Sequence, residues 1–266
     1  MAFYFDLDGN LRASELEQWP WLVHCFTTRS AGDLRRPADQ RAFARRLGLG
    51  LVTLRQIHSS IVRQAGGDGG VAGLAGDALV GARPGRLLGI KTADCLPVLL
   101  VDERRRAVAA IHGGWRGLAR RVVEKSAGEM RRRFSTRPAD LHAAIGPGIQ
   151  ACCFEVGPEV LEEFCSQFVD ALEFCRAEAP NPAEVVLPRQ GPGGGHPVMR
   201  DLHGPPGRVD LAGAARRQLL AAGLHPDRIY NAGLCTACDA ARFFSWRRQG
   251  EAAGRMLSVI GVRRGE

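Results

Sequence analysis

Lysine is nearly missing from this chain: of its 36 basic side chains only Lys91 and Lys125 are lysines, and the rest are arginines. The formal net charge of +8 is therefore carried by arginine, in short clusters such as Arg104 to Arg106 and Arg131 to Arg133 scattered along the sequence. No continuous basic stripe forms and no stacking aromatics interleave with these clusters, so a nucleic-acid partner is not expected. Apolar runs are short. None approaches the roughly 20 residues needed to cross a bilayer, which excludes a membrane-spanning helix and a membrane partner. The opening residues, MAFYFDLDGNLRASE, carry acids early and hold no uninterrupted apolar stretch, so they do not read as a secretory signal and a cytoplasmic location is expected. In a reducing compartment the eight cysteines argue for free, metal-bound or catalytic thiols rather than a disulfide framework.

Two phosphate cradles are absent as well. No G-x-G-x-x-G leads from a strand into a helix and no G-x-x-x-x-G-K-[ST] occurs, which sets aside dinucleotide and P-loop readings. The seven histidines include no H-x-H pair, so the trinuclear centre of a multicopper oxidase has no ligands here.

Hydrophobic residues make up 45% of the chain, enough for a sizeable core, and 266 residues suit one large α/β domain spanning 1–266. Strands are expected at 21–28, 87–92, 96–102, 107–112 and 141–146, and near the end in RIYNAGL, RFFSW and RMLSVIGV. The 96–102 and 107–112 runs, joined by ERRR, suit an antiparallel hairpin. Leu118, Val122, Met130 and Phe134 recur at helical spacing and predict a helix over about 116–134. Pro158 opens a second helix, and Asp210 and Gly223 bracket a third as N-cap and stop. Residues 176–208, dense in proline and glycine, read as a long flexible loop. Strands interleaved with helices, with at least one hairpin, predict an α/β (α+β) sandwich with a mixed sheet.

Three soft-metal-competent side chains lie beside these apolar runs: His58 in RQIHSSIV, Cys95 in TADCLPVLL and His112 in AIHGGWRG. Two imidazoles and a thiolate suit zinc, and three protein ligands leave a fourth position open for chemistry. Their spacing matches no compact finger pattern, and three half-buried residues hydrogen-bonded within the core would give the same sequence. If the hairpin forms, it carries Cys95 and His112 to the same end of the sheet. Asp94 could orient an imidazole, and Gly113 and Gly114 would allow close approach of the backbone. Cys235 and Cys238 form one C-x-x-C, but Cys152 and Cys153 are adjacent and Cys165 and Cys175 lie far apart, so these read as ordinary thiols. His24 precedes the T-T-R stretch and is a weaker pocket candidate.

The motifs HCFTTRSAG, QIHSSIV, GDALVGARPG, TADCLPVLLVD, HGGWRGL, IGPGIQACCFEVG, VDLAGAARRQLLAAGL, LCTACD and FFSWRRQGEAAGRMLSVI follow one another in an order and spacing that resembles the YfiH family, also called the laccase-domain or polyphenol-oxidase family. The resemblance runs from about residue 22 to 262. It implies a YfiH-like fold and a zinc held by His58, Cys95 and His112. It also implies purine nucleoside phosphorylase activity on adenosine, inosine, guanosine or methylthioadenosine, together with adenosine deaminase activity, with purine nucleosides and phosphate as the small-molecule partners. A monomer or weak homodimer is expected. Gly113, Ala31 with Gly32, Phe154 and the long loop before Val209 depart from the usual family pattern and bear on substrate preference.

For phosphorolysis, arginines would hold phosphate by charge and bidentate geometry, with Arg29, Arg116 and Arg247 as candidates. Gln56 of the Q-x-H motif and Glu155 join them as substrate-side residues. Asp94 or Glu155 would carry a proton, and Asp94, Cys95 and His112 form the candidate catalytic set. Deamination would draw on a zinc-activated water. The alternatives are a metal-free Cys-His amidohydrolase with Cys95 as nucleophile and His112 as base, a peptidoglycan-precursor editing factor, a copper polyphenol oxidase, and a binding module without chemistry.

Overall fold

A computed structural model describes residues 2–66, 73–177 and 206–264. Alternation along the central strands explains the layering. In Leu96–Asp102, Val98 and Leu100 turn to one face while Leu99 and Val101 turn to the other, and every one of them is buried. Ala107–Gly113 repeats the pattern, with Ala109 and Ile111 on one side and Val108 and Ala110 opposite. Successive strand side chains point to opposite faces, so a strand covered on both sides reads as an unbroken apolar run. That is the form of LPVLLVD and AVAAIH in the sequence.

These two strands are the centre of a six-stranded sheet ordered Ile229–Asn231, Leu141–Ile145, Leu96–Asp102, Ala107–Gly113, Ala78–Gly81 and Val62–Gln64. Its two edge pairs are parallel and its inner pairs antiparallel. A second six-stranded sheet runs Phe3–Phe5, Leu11–Ala13, Leu22–Phe26, Met256–Val262, Arg86–Thr92 and Gly50–Thr53, with only the last pair parallel. Leu88, Ile90, Ile260 and Val262 of the second sheet pack on Leu79, Leu99, Val101 and Val108 of the first. Outside this seam, helices Val122–Phe134 and Leu211–Ala221 cover the first sheet, and helix Pro37–Arg46 covers the second. The expected α/β sandwich is therefore the observed class, built from two mixed sheets rather than one. A small antiparallel sheet of Glu155–Val156, Gly207–Val209 and Cys175–Ala177 flanks it.

Three local expectations are corrected. The helix over 116–134 is two helices, Trp115–Ala119 and Val122–Phe134, separated by Arg121 at φ +60°. Gln218 stabilises the break by donating its amide to the Leu118 carbonyl at 2.9 Å and accepting the Val123 N–H at 3.1 Å, so both freed helix ends find a partner. RFFSW is not a strand. Arg248 donates to the carbonyls of Thr236, Ala237 and Phe243, and Ser245 caps the short helix Trp246–Gln249. Of the loop expected at 176–208, residues 178–205 lie outside the described residues, and the ends belong to paired strands, with Arg176 opposite Arg208. Helix Pro37–Arg46 was not foreseen, although Pro37 at its first turn and Arg45 and Arg46 in its last are its sequence signals. Among the described residues no helix is long and apolar enough to cross a membrane.

His24 lies inside the second sheet rather than beside a cavity. Its Nε2 accepts the Ala13 N–H at 2.9 Å, and burial, then the charge of Arg12, push its pKa down to about 4. An unfolded histidine titrates near about 6.5, so the unfolded chain binds a proton that the folded chain refuses; stability should fall from about pH 6.5 towards about pH 4, by up to about 3 kcal/mol. His142, held low by burial and by Arg228, adds to the same window. His24→Gln keeps an acceptor for Ala13 and should flatten that slope. Urea midpoints that fall equally in both proteins across the window would refute this assignment.

Candidate active site

Asp77, fully buried at the start of strand Ala78–Gly81, gathers the site. Its Oδ1 accepts the N–H groups of Ile57 at 3.2 Å and His58 at 2.9 Å, and its Oδ2 accepts both the N–H and the hydroxyl of Ser59 at 2.6 Å. His112 Nδ1 lies 2.8 Å from Oδ1, and the His112 N–H donates to the Asp77 carbonyl at 2.7 Å. Burial opposes the charge on Asp77, but the bonds from His112 and Ser59 outweigh it and bring its pKa to about 2. One carboxylate thus fixes the loop that carries His58, held at φ +56°, and the ring orientation of His112. Because Nδ1 of His112 is engaged, Nε2 is the nitrogen left for a ligand.

The hairpin register pairs Pro97 with His112 and Leu96 with Gly113, which brings Cys95 beside His112 across the strand ends. Cys95 Sγ is 3.8 Å from His58 Nε2, and the two imidazole rings meet edge-on with centroids 5.0 Å apart. One donor atom from each of His58, Cys95 and His112 falls within 4.8 Å of the others, a group that could hold a metal ion. Burial alone would raise the Cys95 thiol, yet the adjacent His112 and His58 pull it below the ordinary value. Burial likewise opposes the charge on His112, and Cys95 and Asp77 raise its pKa above the usual range. A thiolate, two imidazoles and an orienting carboxylate are a donor set suited to a metal ion. Gly114 permits it: a Cβ there would sit 2.9 Å from His58 Cδ2 and 3.4 Å from Cys95 Sγ. Gly113 has a different role, since its Cβ would strike the Leu96 carbonyl of the paired strand.

The trio opens into a cavity of about 530 Å³. Its walls carry four cationic side chains, Arg55, Lys91, Arg247 and Arg255, and the rings of Phe154 and Trp246. Arg247 lies over Phe154 at 5.6 Å and Arg255 over Trp246 at 5.4 Å, so each ring is paired with a guanidinium. Burial, then Arg255, lowers the pKa of Lys91. Gln56 lines the same cavity, and its amide donates to the Lys91 carbonyl at 2.7 Å and accepts the Lys91 N–H at 2.8 Å. Asp94 also lines it, at φ +86°, with Oδ1 accepting the Thr236 hydroxyl at 2.7 Å and Oδ2 the Arg247 N–H at 2.6 Å. In this arrangement Asp94 ties the Thr236 turn to the start of helix Trp246–Gln249.

The remaining sequence candidates lie elsewhere. Arg29 stacks on Phe244 at 4.4 Å and Arg116 on Trp115 at 4.3 Å, and neither lines the cavity. The exposed side chain of Glu155 stands 3.7 Å from Arg208 on the adjoining surface. Of the three predicted arginines only Arg247 reaches the cavity, and Arg55, Lys91 and Arg255 supply the other charges. Asp77 sits in the GDALVG motif without standing out by residue type. Lys91 did carry a signal, being one of two lysines and placed at a strand end just before TADC.

Asp77→Ala would leave three backbone N–H groups without their acceptor, each costing about 1–3 kcal/mol when desolvated, so a loss of roughly 3 kcal/mol or more is expected. Amide exchange at residues 57–59 should accelerate in the same variant. A denaturation midpoint and exchange rates matching the wild type would show that the carboxylate does not organise the loop.

Comparison with known proteins places this geometry. The family model described as multi-copper polyphenol oxidoreductase laccase matches residues 32–263. A purine nucleoside phosphorylase of Deinococcus radiodurans is 35% identical over 263 residues, covering 91% of this chain and 90% of the relative. Adenosine deaminase RL5, from an unknown prokaryotic organism, is 35% identical over 240 residues, covering 86% and 82%. The crystal structure of the Bacillus licheniformis hypothetical protein YfiH superposes with a TM-score of 0.80 at 24% identity over 98% of this chain and 99% of that one, a likeness of fold. The chain belongs to the YfiH family, the laccase-domain family of that matching model.

Proposed function

We propose that this chain is a zinc-dependent purine nucleoside phosphorylase, acting on adenosine, inosine, guanosine or methylthioadenosine, with adenosine deamination as a second activity. The observation that carries the reading is a single cavity in which the His58, Cys95 and His112 donors face four cations and two aromatic rings. Its volume falls within the range typical of small-molecule sites, about 300–1,000 Å³. The relatives named purine nucleoside phosphorylase and adenosine deaminase support the same substrate class.

In phosphorolysis an oxygen of inorganic phosphate bonds to C1′ of the ribose. The bond from C1′ to the base nitrogen breaks, and its electron pair leaves with the base. Arg55, Lys91, Arg247 and Arg255 carry the charge that holds phosphate against the ribose. Phe154 and Trp246 offer faces on which a purine stacks. Asp94 positions Arg247 through its backbone N–H, and Arg247 is further held by donating to the carbonyls of Cys153 at 3.2 Å and Glu155 at 2.8 Å. Asp77 keeps His58 and His112 in place. When bound, zinc would supply Lewis acidity and, for deamination, an activated water.

The polarity of the Cys95 and His112 pair also suits the metal-free cysteine hydrolase, and metal content separates the two readings. The phosphorylase reading expects free base from adenosine or inosine only when phosphate is present, and inosine from adenosine without it. Cys95→Ser and His112→Ala should lose the zinc held by this trio, and both activities. Lys91→Met should reduce phosphorolytic kcat/KM by about 10²-fold, the usual loss of a charge contact in the transition state, with deamination less affected. Zinc-free protein that is selectively alkylated at Cys95 and releases no base in phosphate would overturn the proposal.

A further inference from the structure

Cys152, Cys153, Cys235 and Cys238 lack a second C-x-x-C in the sequence, and the fold supplies what the spacing does not. Gly148 and Cys235 form a parallel bridge: the Gly148 N–H donates to the Leu234 carbonyl and the Thr236 N–H to the Gly148 carbonyl, each at 3.2 Å. This lays the Gln150 to Phe154 turn against the Cys235 to Cys238 turn. The sulfurs of Cys152 and Cys153 are 3.8 Å apart, those of Cys152 and Cys238 3.6 Å, and those of Cys153 and Cys238 3.3 Å. All four sulfurs lie within 4.8 Å of one another.

A tetrahedral ion with metal–sulfur bonds of about 2.3 Å places its four sulfurs about 3.8 Å apart. A disulfide would need one pair at about 2.05 Å and would leave the other two thiols unused. We propose that these four cysteines form a second metal site, a closed tetrathiolate that takes a zinc-class divalent ion and is distinct from the His58, Cys95 and His112 group. Its ligand set leaves no open position, which makes it structural rather than catalytic.

The surroundings fit an anionic cluster. Three guanidinium groups bond carbonyls beside the sulfurs: Arg208 at Cys152, Arg247 at Cys153 and Arg248 at Ala237. They would offset the double negative charge of a divalent ion held by four thiolates. The knot also joins the two segments of one cavity wall, since Phe154 follows Cys153, and Thr236, between the C-x-x-C cysteines, donates to Asp94. The bound ion would thus hold that wall in place.

Zinc quantification on the purified full-length chain, with Cys238→Ser and Cys95→Ser beside the wild type, tests the site. The wild type should carry about two zinc ions and each variant about one. Zinc lost with Cys238→Ser but not with Cys95→Ser supports the tetrathiolate site even if the phosphorylase reading fails. Should Cys238→Ser not fold, Cys95→Ser loaded with cobalt should show thiolate-to-metal charge-transfer absorption, and chelation should lower its Tm. Unchanged zinc in folded Cys238→Ser, no such absorption in Cys95→Ser, or a Cys153 to Cys238 disulfide found by peptide mapping would each overturn the proposal.

Discussion

A carboxylate taken out of water must be met by donors, and Asp77 meets that requirement by drawing three separate pieces of chain to one point. Two oxygen atoms accept three backbone N–H groups and a hydroxyl from the Ile57 to Ser59 turn and face the His112 ring. The cost of burying the charge is offset only while all of these donors are present. The carboxylate therefore couples the strand end at His112 to a loop that has no regular secondary structure of its own. The backbone of His58 is placed by the solvation of Asp77, while the ring of this exposed residue meets the edge of the His112 ring.

Backbone strain collects at the same place. His58 and Asp94 are two of the five non-glycine residues at positive φ among the described residues, and both line the cavity. Each is held there by bonds to or from a buried carboxylate, at Asp77 for His58 and within its own side chain for Asp94. Such conformations persist only where the surroundings over-determine them. Glycine serves the opposite need at Gly114, where the absence of Cβ lets the helix start press on His58 and Cys95.

Legibility in the sequence followed the range of the forces involved. The central strands were readable because burial on both faces makes their whole length apolar, and the hairpin was readable because its turn is short and charged. From that hairpin the nearness of Cys95 and His112 followed directly. Asp77 was not assigned, because one acid before an apolar strand looks like any other until its donors are known. Arg29 and Arg116 illustrate the same limit: each is a plausible anion ligand by neighbourhood, and each instead lies over an aromatic ring. The Cys152 and Cys153 pair met Cys235 and Cys238 only through the Gly148 bridge, a long-range contact with no local pattern. RFFSW has the composition of a strand, but Arg248 takes the Phe243 carbonyl and, among the described residues, no strand pairs with it.

The cavity has two walls built on one principle. On the first, Asp77 joins the His58 turn to the sheet end; on the second, Asp94 joins the Thr236 turn to the backbone of Arg247. The first wall holds all three soft donors and is anchored in the central sheet, so substitutions there disturb the core as well as the chemistry. The second wall holds Phe154 on a turn and Trp246 and Arg247 on the short helix Trp246–Gln249, all outside the main sheets. Side chains there can change without displacing His58, Cys95 or His112, provided the Asp94 bonds and the cysteine knot remain. Phe154, one of the departures from the usual family pattern, lies on this second wall. A phenyl ring offers a stacking face but no hydroxyl to donate or accept a hydrogen bond.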